Sequence, residues 1–292
     1  MELHQLRYLV AIARAGSFSR AAAQCRVAQP SLSQQIQKLE DELGESLFQR
    51  SAKGAVLTAA GEALLGRAER ILREVEEASA EARDAGKLLR GRVAVGAIPT
   101  IAPYFLPGIL AAFSAKYPGV ELEIHEDTTA QLLQKIASME IDLGIASLPL
   151  EGSELEVRPL FSEELLLALP AQHPLARRRN VRLDDLEAER FILMKEGHCL
   201  GAQALNVCHQ AKLEPNVVLR SAQIETIHAL VASGFGISLI PAMACKKRSD
   251  PDFVCRSLAA PTPQRVIALC YRKGAYLSRA ALRMISYFQA NE

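Results

Sequence analysis

Cys199 and Cys208 stand nine residues apart in the segment EGHCLGAQALNVCHQ. Two thiols in one segment can do redox chemistry. The first, as a thiolate, attacks an oxidant and becomes a sulfenic acid; the second condenses with it to a disulfide. Gly197-His198 before Cys199 marks a helix start, where unpaired first-turn amides favour a thiolate. Cys208 falls in the same apolar helical run. In one continuous helix, nine residues at about 1.5 Å each hold the pair about 13 Å apart. A disulfide needs Cα atoms within about 7 Å. Joining the two therefore requires the segment to unwind, and a chemical event becomes a change of shape. Spacing alone leaves open the plainer reading of two small buried hydrophobes.

That plainer reading is the expectation for Cys25, Cys245, Cys255 and Cys270, although Cys245 precedes Lys246-Lys247-Arg248, whose charge would lower its pKa. His198, Cys199, Cys208 and His209 could meet around zinc only after rearrangement, so no metal and no cofactor is expected. Thr100 follows Pro99 at a strand end and faces a helix N-terminus. The position suits a small polar ligand or a helix cap, and the two roles are compatible.

These side chains need a frame, and 292 residues supply enough chain for two or three cores. With 49% hydrophobic and 23% charged residues the composition is that of an ordinary soluble protein. The sequence contains no long apolar run and no signal-peptide pattern, so the cytoplasm is the expected compartment, with no membrane partner. Stable disulfides are not expected in such reducing surroundings. The net charge of +1 excludes little, because nucleic-acid binding depends on where charge is placed.

Leu3, Leu6, Leu9, Val10 and Ala13 recur on one helical face, and Ser17 suits an N-cap for Phe18 through Cys25. Pro30 then opens a helix whose buried stripe is Leu32, Ile36, Leu39 and Leu43. Two short helices joined by VAQPS form a helix-turn-helix pattern. Its outward Gln29, Ser31, Ser33, Gln34, Gln37 and Lys38 suit base edges and phosphates. A two-stranded wing with its turn at Lys53-Gly54 follows, then one long helix from Thr58 to about Lys87. Ala63, Leu64, Ala68, Ile71, Leu72, Val75 and Ala78 form an apolar strip on that otherwise polar rod, so it needs a partner. Gly86 and Gly91 flank the expected hinge.

The run from LRYLVAIARAGSFSRAA through QPSLSQQI to LEDELGESLFQR and LTAAG closely resembles the N-terminal domain of LysR-type transcriptional regulators. The resemblance implies a winged helix-turn-helix in which Ser31, Ser33, Gln34 and Lys38 meet DNA and Arg50 meets a phosphate. SAKG replaces the more usual Arg-rich wing turn, so minor-groove contact rests on Lys53. The long helix matches that family's linker, which pairs two subunits. Implied partners are double-stranded promoter DNA, RNA polymerase and further copies of the chain, as a homodimer and a dimer of dimers.

After Gly91 strands and helices alternate, which implies parallel sheet covered by helices. Expected strands include 92–98, 120–125, 141–147, 155–160, 165–169, 191–194, 217–219, 236–240 and 265–271. The order resembles the type 2 periplasmic-binding-like effector domain of the same family. The expected whole is an α/β chain with an α-dominated winged helix-turn-helix (1–58), a linker helix and hinge (59–90), and a two-lobed effector domain (91–292). Lobe I takes about 91–160 plus 265–292, and lobe II about 161–264.

GAIPTIAPYFLP, HEDTTAQLL, FILMKEGHCLGAQALNVC and IETIHALVASGFGISLIPAMA further resemble the hydrogen-peroxide-sensing OxyR branch. That likeness implies that peroxide oxidises Cys199 and that Cys208 resolves it as a disulfide. It also implies that Thr100, Thr129, His198 and Arg265 form or support the peroxide pocket. The expected function is a non-enzymatic, redox-switched activator of oxidative-stress genes. Two alternatives are a LysR-type regulator holding a small carboxylate or aromatic metabolite in the interlobe cleft, and a thiol peroxidase carrying a DNA-binding head. The missing CxxC pair speaks against the peroxidase, and residues 1–90 against a solute-binding protein.

Overall fold

Leu6, Leu9, Val10 and Ile12 are buried along one face of α1 (Leu3–Ala15), the first element of a computed structural model. The structure describes residues 1–51, 54–83, 89–178, 180–246 and 251–290, in two units: Met1–Leu88 with Ser138–Glu140, and Leu89–Ala137 with Ile141–Glu292. Gly16 ends α1 in the left-handed region, at φ +62°, which glycine adopts without steric cost. Ser17 takes the N-cap position of α2 (Phe18–Cys25) but makes no side-chain capping bond. In α3 (Gln29–Leu43) Leu32, Ile36 and Leu39 point inward, whereas Leu43 is exposed, as is Leu3 at the start of α1. Both lie at the outer end of their stripes, beyond the reach of the core. β1 (Phe48–Ser51) and β2 (Gly54–Leu57) form the antiparallel wing.

The following helix, α4 (Ala59–Arg83), carries the apolar strip, part of which meets its own chain. Ala68 is buried in the helix-turn-helix core, and Leu64, Ile71 and Leu72 pack against it. Much of the apolar strip is therefore covered within the chain. Val75 stays half-buried outside that core, while Ala63 and Ala78 are exposed. The wing-tip Lys53 and the expected hinge at Gly86 lie outside the described residues, as does the side chain of Arg50.

The second unit begins with β3 (Gly91–Ala97), α5 (Ala102–Lys116), β4 (Val120–Glu126), α6 (Thr129–Ala137) and β5 (Leu143–Ser147). β6 (Leu155–Pro170), β7 (Arg190–Met194), α7 (Cys199–Gln210), β8 (Asn216–Ser221), α8 (Ile224–Ala232), β9 (Ser238–Pro241) and α9 (Ala242–Lys246) follow. β10 (Phe253–Arg256), β11 (Gln264–Arg272) and α10 (Arg279–Ala290) close the chain. The sheet is mixed rather than parallel. β3 pairs in parallel with β4 and β5, but β11 runs antiparallel to both β5 and β6. The two strands expected at 155–160 and 165–169 are one. A bulge opposite Ile267 and Ala268 skips Leu160 between Pro159 and Phe161, so β6 bends and continues.

The first half of β6 pairs with β11, and its second half with β9 on one side and β10 on the other. It thereby joins two lobes. Val95, Phe113, Leu132, Ile145, Leu269 and Phe288 belong to the core of the first. The second lobe holds two cores, one around Phe191, Leu193, Cys208 and Leu239, the other around Ile192, Met194, Leu200, Ile240 and Phe253.

α9 and β10 have no counterpart in the sequence expectation, and they correct another. Cys245 and Cys255 are not two isolated small hydrophobes but a disulfide, with Cα atoms 6.4 Å apart. Leu167 and Ala168 pair with β9 and β10 at once. The chain leaving β9 must therefore cross to the other side of β6, and that crossing brings the two sulfurs together.

Gly201 fixes how closely α7 lies on β7, because a Cβ there would stand 2.6 Å from the Met194 carbonyl oxygen. Gly201→Ala should destabilise the protein by about 1–3 kcal/mol, since the clash is with backbone. The helix-propensity gain of about 1 kcal/mol works against that loss without cancelling it. Gly66→Ala in α4, where a Cβ meets nothing within 4 Å, should instead be neutral or stabilising. Urea denaturation of both variants checks the contrast.

Candidate functional site

Three chain segments converge on Cys199. The end of β3 delivers Ile98, Pro99 and Thr100, the start of α6 delivers Thr128 and Thr129, and the start of α7 delivers His198 and Cys199. Together they line a narrow crevice, packed too tightly to hold a free water molecule. Gly197, at φ +91°, turns the chain into the helix, and His198 holds the N-cap position.

Behind this crevice lies a buried ion pair. Arg265 on β11 stands directly across from Glu163 on β6 in the antiparallel register. Its Nε donates to Glu163 Oε1 at 2.8 Å, Nη1 to Thr100 Oγ1 at 2.9 Å and Nη2 to the Thr100 carbonyl at 3.1 Å. Glu163 Oε2 also accepts the Met243 backbone N–H at 3.1 Å. The guanidinium is 0% exposed, so its charge acts across a poorly screened interior.

Burial pushes the Cys199 thiol above its ordinary range, while the Arg265 charge, the Thr129 hydroxyl and the backbone N–H groups of Leu200 and Cys199 itself pull it down. The first effect is the largest. The helix-start amides thus act in the expected sense but do not decide the outcome. Thr129 Oγ1 is buried without a hydrogen bond of good geometry, although it lies near enough to Cys199 to favour its thiolate. It is a donor held in readiness. Burial, followed by the Lys195 charge, lowers the His198 pKa and keeps the ring neutral at pH 7.

Cys208 lies on the same continuous helix, α7, as expected. Nine residues at 3.6 per turn bring it half a turn round from Cys199 and about 13 Å along. The two thiols accordingly meet different surroundings. Cys199 packs against the first-lobe core, and Cys208 is buried in a second-lobe core, where desolvation pushes its pKa up to about 11. One turn after Cys199, the Gln203 amide donates to Ser147 Oγ at 2.7 Å and to the Leu148 carbonyl at 3.2 Å, fastening α7 to the end of β5. Cys270 is buried beside Gly144, its pKa pushed up to about 12, and Cys25 is a half-buried residue packed on the helix-turn-helix core.

Of the expected pocket residues, Thr100, Thr129, His198 and Cys199 share the crevice, and Arg265 supports it from behind. Glu163 was missed. Its signal was the position opposite Arg265, which becomes visible only when β6 and β11 are aligned. Among the described residues no group of three or more His, Cys, Asp or Glu is arranged to hold a metal ion. On α3, Gln29, Ser31, Gln34, Gln37 and Lys38 are exposed and Ser33 is half-buried. Gln37 Nε2 donates to Asp41 Oδ1 at 3.0 Å.

Residues 3–62 match the family described as bacterial regulatory helix-turn-helix protein, lysR family, and residues 86–292 match the LysR substrate binding domain. The chain is 39% identical over 278 residues to the DNA-binding transcriptional dual regulator OxyR of Escherichia coli K12, covering 95% of this chain and 91% of that protein. Among solved structures it resembles full-length OxyR C199D from Pseudomonas aeruginosa, with a TM-score of 0.78 at 32% identity, over 99% of this chain and 94% of the other. A cysteine mutant of Corynebacterium glutamicum OxyR, described as H2O2-bound, has a TM-score of 0.67 at 33% identity, over 99% and 93%.

Replacing Arg265 by Met should cost about 3–5 kcal/mol, because it strands the buried Glu163 charge. It should also slow alkylation of native Cys199 by iodoacetamide at neutral pH, by removing the cation that favours the thiolate. Adding Glu163→Leu should restore stability without restoring the alkylation rate. In the unaltered protein that rate should keep climbing through the ordinary thiol range, since the Cys199 pKa is raised. Rates followed against pH by mass spectrometry check both statements. On α3, Gln34→Ala should weaken specific DNA binding by about 1–3 kcal/mol if the amide reads a base. Titration of specific and random duplexes checks it, and an equal loss on both would mark a phosphate contact.

Proposed function

The chain belongs to the LysR family of DNA-binding transcriptional regulators, and from that premise we propose that it switches promoter contacts when hydrogen peroxide oxidises Cys199. The observation that carries this reading is the placement of Cys199 and Cys208 two and a half turns apart, on opposite faces of one helix, with only Cys199 at the crevice beside Thr100 and Thr129. The Cys199 thiolate attacks one peroxide oxygen, the O–O bond breaks, and hydroxide leaves with a proton to become water. Thr129 and Thr100 are positioned to favour that departing oxygen. The Cys208 sulfur then displaces the sulfenic oxygen as a second water, so two thiols and one peroxide become one disulfide and two waters.

Because the disulfide cannot span about 13 Å, α7 must unwind to form it. Unwinding releases the Gln203 bonds to Ser147 and Leu148 and the close contact at Gly201.

In this reading residues 1–58 read DNA, 59–90 connect and pair subunits, and 91–292 sense. The functional unit is a homodimer assembling further to a dimer of dimers in the cytoplasm, and its movement on promoter DNA alters contact with RNA polymerase. No described helix is long and apolar enough to cross a membrane.

With limiting peroxide, Cys208→Ser should accumulate dimedone-reactive Cys199, and Cys199→Ser should lose the peroxide-induced change in DNA footprint. A Cys199→Ser protein that keeps the full footprint change would overturn the reading. Val75→Lys, placed where α4 is not covered by its own chain core, should weaken self-association and binding to a full two-fold operator. Sedimentation at several concentrations measures the first effect, and an unchanged dimer would assign the pairing surface elsewhere.

A further inference from the structure

We propose that Cys245 and Cys255 form a second redox site, which exchanges with low-molecular-weight disulfides and, through α9, sets how fast Cys199 reacts. The coupling to Cys199 rests on the peroxide reading above; the exchange itself does not. Unlike Cys199 and Cys208, these two cysteines need no refolding to bond, for their Cα atoms already stand 6.4 Å apart. Both are half-buried, and Cys255 lines an open surface pocket with Ala176, Arg178 and Arg256, through which a small reagent can approach. They pack beside the core of Leu165, Ile192, Ile240 and Phe253, whereas Cys199 packs on the first-lobe core and Cys208 on another. The second pair is thus a separate chemical station.

The exchange balances with a disulfide RSSR as oxidant. One protein thiolate attacks a sulfur of RSSR, forming a mixed disulfide and releasing RS⁻. The other protein thiolate attacks the protein-side sulfur of that mixed disulfide and releases a second RS⁻. The two protons lost by Cys245 and Cys255 pass to the released thiolates. The protein dithiol is oxidised by two electrons, and RSSR is reduced to two RSH. Excess RSH reverses both steps.

α9 carries the consequence. It has five residues, too few to hold a helix by itself, and so depends on its tethers. The disulfide fastens its C-terminal turn to β10, which is paired with β6. Near its start, the Met243 N–H donates to Glu163, which holds Arg265, which in turn holds Thr100 in the wall of the Cys199 crevice. With the pair reduced, α9 loses its tether, Glu163 loses a firm donor, and the Arg265 charge is set less tightly behind Cys199. The disulfide form therefore favours the reactive arrangement.

The test uses the full-length chain carrying Cys208→Ser, equilibrated without peroxide in glutathione buffers from fully reduced to disulfide-rich. Differential alkylation and peptide mapping should show Cys245 joined to Cys255 at ratios that leave Cys199 free. Limiting hydrogen peroxide with dimedone trapping should then convert Cys199 about fivefold or more faster in the disulfide form than in the dithiol form. Adding Cys255→Ser should give the slow rate at every glutathione ratio. If that variant does not fold, comparison of the two forms of the Cys208→Ser protein decides the matter. Cys245 and Cys255 remaining thiols at every ratio, or equal Cys199 rates in the two forms, would overturn the proposal. A linked pair beside a Cys199 inert to peroxide in both forms would overturn the peroxide reading and, with it, the coupling alone.

Discussion

Arg265 and Glu163 form an ion pair that the solvent scarcely touches, and the arrangement of the effector domain turns on it. Taking two charges out of water costs several kcal/mol per ion, so such a pair persists only where its remaining donors and acceptors are used. Here they are. Glu163 takes two donors from Arg265 and one from the Met243 backbone, and the rest of the guanidinium fork is directed at both oxygens of Thr100. Apolar residues of the same size would hold β6 and β11 together about as well. They would not deliver a fixed positive charge beside a buried thiol. The pair also ties together segments far apart in sequence: the end of β3, the middle of β6, the start of α9 and the first residues of β11.

α7 stands against this fixed frame as the element that can change. Gly201 lets it approach β7 closely, and Gln203 fastens it to the end of β5. Neither contact survives if Cys199 and Cys208 are brought within bonding distance, because they occupy opposite faces of the helix. A helix cannot be slightly shortened to satisfy a disulfide. It stays wound or it gives up its hydrogen bonds and packing, and packed interiors respond in that discrete way. A Cys199–Cys208 disulfide would thus select between two arrangements rather than move along a continuum.

Much of this was legible in the residue pattern, and the exceptions have physical causes. Helical stripes such as Leu32, Ile36 and Leu39, and the helix start at Cys199, follow from local periodicity and turn residues. The continuity of β6 was hidden because the polar Ser162-Glu163-Glu164 run falls in the gap between the expected strands 155–160 and 165–169, and the bulge against β11 lets the strand continue through it. α9 and β10 are too short to carry a period. Glu163 and the Cys245–Cys255 bond depend on which strands lie side by side, and connectivity of that kind is a tertiary property. The strip on α4 was correctly seen as apolar. Its sequence could not say that α1 and its neighbours cover Leu64, Ala68, Ile71 and Leu72 first.

The competing effects on Cys199 also bear on selectivity. A thiol raised by burial and lowered by a cation and a hydroxyl is guarded as well as activated, because the burial that disfavours its thiolate also limits what can reach it. The crevice beside it, lined by Ile98, Pro99, Thr100, Thr128 and Thr129, is packed too tightly to take a tripeptide disulfide. Cys208 and Cys270 are protected further still, by deep burial that keeps both protonated at neutral pH. Cys245 and Cys255 are half-buried beside another core, and Cys255 lines a surface pocket with Ala176, Arg178 and Arg256. Burial and local charge thus give chemically identical side chains of one chain different thiolate character, with Arg265 and Thr129 acting on Cys199 and desolvation alone ruling Cys270.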